Sequence, residues 1–191
     1  MSDDLFDGRP NGYVFTKAVG EHIVRDYFNQ DQRKPAVGII RPGIVGPSLY
    51  EPTEGWVDSV QGVAGLSILA GLGIVQTIDW EYNNHSDGIP VDYLVNGIIS
   101  AAWYIFHQRS HQLTIFNLTS SNIRPISNGQ FMSIGREESV RQPSMYFVRP
   151  QMQVPKSRPH PLIHRIQRFV YHTLFAYFID MLLVLFGYKR M

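Results

Sequence analysis

Between Pro10 and Pro35 the apolar side chains fall at Phe15, Ala18, Val19, Ile23, Tyr27 and Phe28, with Thr16, Lys17, Glu21, Arg25 and Asp26 opposite them. That spacing predicts an amphipathic helix, opened by Pro10, Asn11 and Gly12 and ended by the polar run Gln30 to Lys34 and by Pro35. Ala36 to Arg41 follows as a short continuous apolar run, the pattern of a strand buried in a parallel sheet. Helix followed by strand implies an α/β layer. Pro42, Gly43, Gly46, Pro47 and Pro52 then make a loop too rich in breakers to be regular, leaving the strand at its carboxyl end. In open α/β sheets, ligands bind at that end.

Gly62 to Gly73 reads as a short helix of small residues, Ile74 to Ile78 as another strand, and Asn83, Asn84, Asp87 and Gly88 as a turn. Pro90 suits the first turn of a second long helix. Its apolar stripe, Leu94, Val95, Ile98, Ile99, Ala102, Trp103 and Phe106, predicts burial on that side. Leu113 to Leu118 has the β-branched and aromatic character of a strand, and Gln142 to Pro159 is a Pro- and Arg-rich connector without periodicity. The pattern divides the chain into an α/β part over 1–141, a linker over 142–160 and a helical part over 161–191.

In that last part, Phe169 to Gly187 is almost continuously apolar and is bracketed by Arg165, Arg168, Lys189 and Arg190. The run meets the roughly 20 residues a bilayer span requires. Asp180, His172 and Thr173 oppose insertion, since charge near the centre of a membrane helix is expensive. Spanning a bilayer, lying in its interface and docking on another domain are three placements the pattern leaves open, and the basic flanks favour a membrane surface.

The totals narrow the chemistry. At 191 residues the chain can bury one good core. Seventeen basic against sixteen acidic side chains give a net charge of +1, too little to grip a phosphate backbone, so nucleic acid is not an expected partner. No cysteine occurs, which removes disulfides, thiolate catalysis and cysteine-ligated zinc. Met1 to Gly8 is acidic and polar, unlike a secretory signal, so the chain is expected to face the cytosol. The sequons at Asn84 and Asn117 are read as chance.

Tyr13-Val14-Phe15-Thr16-Lys17 carries the sharpest candidate chemistry. On a helix it sets a phenol and an ammonium one turn apart on one face. A neighbouring cation stabilises phenolate, so such a phenol can serve as a general acid towards a carbonyl. His107 with His111, and His160 with His164, have the spacing of paired metal ligands but no third ligand nearby, and solvated histidines are the expected reading. Asp58, Asp79, Asp87 and Asp92 form no sequence-defined pair, and Asp92 suits a helix N-terminus. No G-x-G-x-x-G occurs, and Gly71-Leu72-Gly73 reads as a helix terminus, not a phosphate loop.

Taken together, in order and spacing, several segments resemble the fatty acyl-CoA reductases, a branch of the extended short-chain dehydrogenases. Gly8 to Ala18, reading GRPNGYVFTKA, is similar to their active-site helix. Ile40-Arg41-Pro42-Gly43-Ile44-Val45-Gly46-Pro47, with Glu51-Pro52 and Gly55-Trp56-Val57-Asp58, resembles the strand and loop bordering the nicotinamide. Ile89 to Asn96 resembles the next helix entry, Phe116 to Ser120 the late strand, and Pro161 to Met191 the opening of a membrane-associated helical domain. Gly12, where a threonine is usual, and Ser120-Ser121, where a glycine often follows, depart mildly from the pattern.

The resemblance implies an incomplete Rossmann-like domain lacking its N-terminal βαβ units, followed by an apolar helix. It implies NADPH-dependent reduction of long-chain acyl-CoA to a primary alcohol, with Tyr13 as proton donor and Lys17 favouring the phenolate and holding the nicotinamide ribose. Arg41, Pro42, Gly43, Ile44 and Val45 would border the cofactor. The family's catalytic serine or threonine and its glycine-rich loop are expected upstream of residue 1, so the chain is expected to need an N-terminal half and to be poorly active alone. Endoplasmic reticulum or peroxisome is the location the family implies. A non-catalytic membrane-associated module, or a dehydrogenase of another substrate class, are the alternatives.

Overall fold

A computed structural model of the chain describes residues 8–31, 35–108, 112–123, 125–151 and 160–189. It divides into two compact units, Met1–Gly43 with Asp92–Leu118, and Ile44–Val91 with Thr119–Met191.

In the first unit, α1 (Gly12–Gln30) begins where the Asn11 side chain accepts a hydrogen bond from the Val14 amide at 2.9 Å, satisfying one of the free donors of the first turn. β1 (Gly38–Pro42) pairs in parallel with a late strand, β4 (Thr114–Leu118), with Gly38 opposite Thr114 and Pro42 opposite Leu118. The parallel setting expected for the Ala36–Arg41 run is therefore present. α3 (Val91–Gln108) packs on this pair. A methyl group at Gly97 would lie 2.7 Å from a Leu118 methyl, so a larger residue there would have to displace the Leu118 side chain.

The face of α3 that packs meets the predicted one only at Leu94. Leu94, Ala101 and Ile105 are buried, whereas Trp103 and Phe106 are 63% and 66% exposed. The stripe read from the sequence and the packed stripe are adjacent, and the packed one carries Gly97 against Leu118 and Ile105 against Gly38. Pro90 also falls one position earlier than expected, ending a strand immediately before the helix begins.

In the second unit, β2 (Ile44–Gly46) and β3 (Gly88–Pro90) pair in parallel, Ile44 opposite Gly88 and Gly46 opposite Pro90. This corrects two expectations: the breaker-rich loop holds a strand, and Gly88 starts a strand instead of closing a turn. Two β-branched residues, Ile44 and Val45, suffice once the Ile44 amide donates to the Asp87 carbonyl at 2.6 Å and fixes the register. α2 (Gly62–Gly71) ends at Leu72 and Gly73 as predicted. Gly73 has φ of 75°, the left-handed conformation that closes a helix.

Ile74 to Ile78 is not a strand. Its backbone is engaged elsewhere: the Ile74 and Val75 amides donate to the Leu69 carbonyl at 2.9 and 3.1 Å, the Ile74 carbonyl accepts from Arg149 at 2.9 Å, and the Gln76 amide donates to His172 at 3.4 Å. α4 (Asn128–Arg141) has no counterpart among the predicted elements. A reciprocal capping box starts it, the Ser127 hydroxyl accepting from the Gln130 amide and the Gln130 side chain accepting from the Ser127 amide. Buried Tyr82, Ala64, Ile89 and Met132 form the core of this unit.

The tail is one helical run in three parts, α5 (Pro161–Arg168), a π-helical turn (Phe169–Leu174) and α6 (Phe175–Leu185). Of the 142–160 linker, 152–159 lie outside the described residues, as do the acidic Met1 to Asp7 start, Gln32 to Lys34, His111 and Arg190.

Candidate functional site

Tyr13 and Lys17 occupy the first turns of α1, where the helix places them on one face. The Lys17 ammonium lies 5.5 Å from the centroid of the Tyr13 ring, a cation over the aromatic face. Tyr13 is 70% exposed, so its hydroxyl is free to meet a ligand. One further turn along the same face comes Glu21, which sequence reading treated only as part of a polar face. Arg41 grips it with two parallel hydrogen bonds, Nε to Oε1 at 2.8 Å and the terminal nitrogen to Oε2 at 2.5 Å. This fork geometry fixes direction as well as distance. It ties the Tyr13–Lys17 helix to the carboxyl end of β1. Arg41, hydrogen-bonded to it, holds the Glu21 carboxyl below the usual carboxylate range, and Glu21 in turn raises the guanidinium.

Pro42 closes β1 opposite Leu118, and the Gly43 amide donates to the Leu118 carbonyl at 3.0 Å. Ile44 and Val45 belong to the second unit, as the body of β2. Of the predicted site residues, the structure thus joins Tyr13, Lys17 and Arg41 through Glu21.

The second unit contains a mainly apolar cavity of about 350 Å³, bounded by Ile44, Val63, Trp80, Ile89, Ile126 and Phe131 among others. That volume falls in the range of small-molecule sites, about 300–1,000 Å³. Its polar corner is Asn128, buried at the start of α4, whose side-chain oxygen accepts from the Ser86 hydroxyl at 2.6 Å. Beside it the loop after β2 is organised by buried Ser48, which accepts from the Trp56 amide at 3.0 Å and donates to the Thr53 carbonyl at 2.5 Å. Ser48, Asn128 and Glu21 were all missed from sequence. Only the capping pattern at Ser127 gave any signal, for the neighbour of Asn128.

The remaining candidates have structural roles. Asp87 accepts from the amides of Ser120 and Ser121 at 2.8 and 3.0 Å, holding the turn after β4. Asp92 is buried in the first turn of α3. His107 stacks on Trp103 with ring centroids 4.3 Å apart, and the His160 ring accepts from the Leu162 amide at the start of α5. No cluster of three metal-ligating side chains occurs among the described residues. Burial, with Asp79 adding to it, pushes the Tyr82 phenol up and makes it a core group.

These observations define a mixed α/β protein with parallel strand pairs and an exposed tyrosine–lysine face on its first helix. The chain belongs to the NAD-binding family described as Male sterility protein, whose model matches residues 1–98. Relatives that this chain resembles carry the name fatty acyl-CoA reductase, and three of them illustrate the match. Fatty acyl-CoA reductase 1 of Homo sapiens is 39% identical over 130 residues, covering 68% of this chain and 24% of its own length. Fatty acyl-CoA reductase 1 of Rattus norvegicus is 34% identical over 190 residues, 99% of this chain and 36% of its own length. Fatty acyl-CoA reductase wat of Drosophila melanogaster is 29% identical over 191 residues, 99% of this chain and 35% of its own length. The chain therefore spans 24% to 36% of these relatives.

Proposed function

We propose that this chain is part of an NADPH-dependent fatty acyl-CoA reductase that forms a primary fatty alcohol from a long-chain acyl-CoA. The observation carrying this reading is the Tyr13–Lys17 pair, exposed on a helix clamped by Glu21 and Arg41 to the carboxyl end of a parallel strand. NADPH, when bound, would supply the hydride, and the conversion needs it twice: once at the thioester carbonyl carbon, releasing coenzyme A and leaving an aldehyde, and once at the aldehyde carbon, giving the alcohol. The residues fit the complementary work. The Tyr13 hydroxyl donates a proton to the carbonyl oxygen, while the Lys17 ammonium stabilises the phenolate left behind and holds the nicotinamide ribose. Arg41, Pro42, Gly43, Ile44 and Val45 form the segment bordering the nicotinamide.

Residues 1–141 then form part of a Rossmann-like domain, 142–160 a linker and 161–191 the start of a membrane-associated helical region on the cytosolic side of the endoplasmic reticulum or peroxisome. The chain spans 24% to 36% of its relatives, and this reading assigns the dinucleotide loop to a part of the reductase that these residues do not include. The 191-residue chain alone should accordingly show no saturable NADPH binding.

The test is Tyr13→Phe in the full-length protein, assayed for fatty alcohol from acyl-CoA and NADPH. General acid catalysis contributes about 100- to 10,000-fold, and a loss of that size with NADPH binding retained is the expected result. Unchanged alcohol formation would sink the enzymatic reading and leave a non-catalytic module.

A further inference from the structure

Apart from Arg165, Arg168 and the tyrosines, the tail turns its polar side chains inward in its first half. Along Pro161–Leu185 the partly covered positions are His164, Gln167, His172 and Thr173, then Phe175, Ile179, Asp180, Leu182 and Leu183, so the covered face is polar through the π-helical turn and mostly apolar beyond it. Turned outward are apolar groups such as Leu162, Ile166, Phe169, Phe178, Met181 and Leu185, each more than half exposed. The π-helical turn keeps the two faces in line. An ordinary helix returns to a face every three or four residues, whereas the step from Gln167 to His172 is five, the spacing of π-type bonding. That extra residue brings His172 back over the body of the second unit.

There the polar face is held. The Gln76 amide donates to His172 Nε2 at 3.4 Å, Thr77 meets His164 and Gln167 at 3.1 and 3.3 Å, and the Arg149 guanidinium lies 4.2 Å from the Phe175 ring centroid. The run is long and apolar enough to cross a bilayer. Crossing while so docked would draw Arg149 and the non-helical backbone at Gly73–Thr77 into hydrocarbon, which lipid does not tolerate.

We infer that Pro161–Leu185 is an in-plane anchor: its polar face stays on the second unit, and its apolar face lies in the surface of an anionic bilayer. Arg165 and Arg168, on the outward side, match anionic headgroups. The inference rests on the membrane association proposed above and specifies its geometry.

Because the chain has no cysteine, a single introduced cysteine reports one position only. Ile166→Cys, Phe178→Cys and Leu185→Cys on the outward face, and Thr173→Cys and Asp180→Cys on the docked face, are labelled with an environment-sensitive fluorophore. The labelled chains are reconstituted into phosphatidylcholine–phosphatidylserine vesicles carrying quenchers at graded depth. The expected result is equal, shallow quenching at the three outward positions and little at the two docked ones. Depth that changes steadily from Ile166 to Leu185 on both faces means spanning, which overturns the in-plane geometry while sparing the membrane reading. No quenching anywhere overturns both. As a second measurement, Arg165→Gln and Arg168→Gln should each weaken vesicle binding about fivefold. Binding indifferent to both substitutions and to phosphatidylserine content would remove the headgroup match.

Discussion

α1 and the tail helix both present apolar side chains to solvent, yet they are held by different forces. α1 has one deeply buried side chain, Phe28 at 4% exposure, and one bidentate ion pair, Glu21 with Arg41. The tail has no buried residue and is held by polar contacts from Gln76 and Thr77 and by Arg149 over Phe175. The exposed surfaces differ too. α1 mixes Tyr13 and Lys17 with apolar groups, as a face meeting a polar ligand requires, while the outward tail is apolar and aromatic apart from Arg165 and Arg168 near its start. An apolar anchor fixes a helix independently of pH and salt, whereas polar tethers leave it adjustable.

The largest effect should come from Tyr13→Phe in the full-length protein, a loss of about 100- to 10,000-fold in alcohol formation. Since Tyr13 is an exposed side chain, urea unfolding of the variant should match the parent, which would place the loss in chemistry and not in folding.

Phe28→Ala should destabilise the first unit by about 3–5 kcal/mol, the usual range for emptying a buried phenylalanine site. Phe178→Ala in the tail should change stability in water by no more than about 0.5 kcal/mol, since an exposed side chain loses no packing. Equal denaturant midpoints for the two variants would erase the contrast between the helices.

A smaller effect is expected on acidification. Burial, reinforced by the nearby Arg149 and His164, holds His172 below the ordinary histidine value, so the docked tail favours the neutral ring. The unfolded or undocked chain then binds more protons, and docking is full above about pH 6.5 and weakens as the pH falls through and below that value. Hydrogen exchange of amides 164–175, corrected for intrinsic rates, should accelerate between about pH 7.5 and 5.5, with α1 unaffected. Equal protection at both values would show that His172 does not control the tether.

The smallest effect belongs to the clamp on α1. The Glu21 carboxyl is held low by Arg41, so its contribution is complete above the ordinary carboxylate range and is lost only as the pH drops below that range. Carbon-detected titration of Glu21 should give a midpoint below that of a free glutamate. A midpoint at or above the free value would mean that the fork does not persist in solution.

Much of this was legible locally. The helix at Phe15–Phe28 and the strands at Ala36–Arg41 and Leu113–Leu118 follow from side-chain period, and the end of α2 from Gly71 and Gly73. The tyrosine–lysine pair is likewise a local fact, since helical pitch alone puts residues four apart together. The α3 face was read correctly only at Leu94 because two apolar stripes run side by side on that helix, and the packed one meets partners from other elements, Ile105 against Gly38 and Gly97 against Leu118. β2 was hidden among breakers because a three-residue strand exists only through its partner, β3. Ile74–Ile78 had a strand's composition, but its backbone is engaged by Leu69 and by side chains instead of a strand.

The sequence by itself determined the periodic elements, the candidate proton donor and the mainly apolar character of the tail, because each depends on neighbours within a few residues. Only the tertiary structure decided what those elements face. Glu21 and Arg41 lie twenty residues apart, and Gln76 and His172 lie ninety-six apart. No local pattern encodes such pairings, because the free energy that selects them appears only when the chain has folded back on itself.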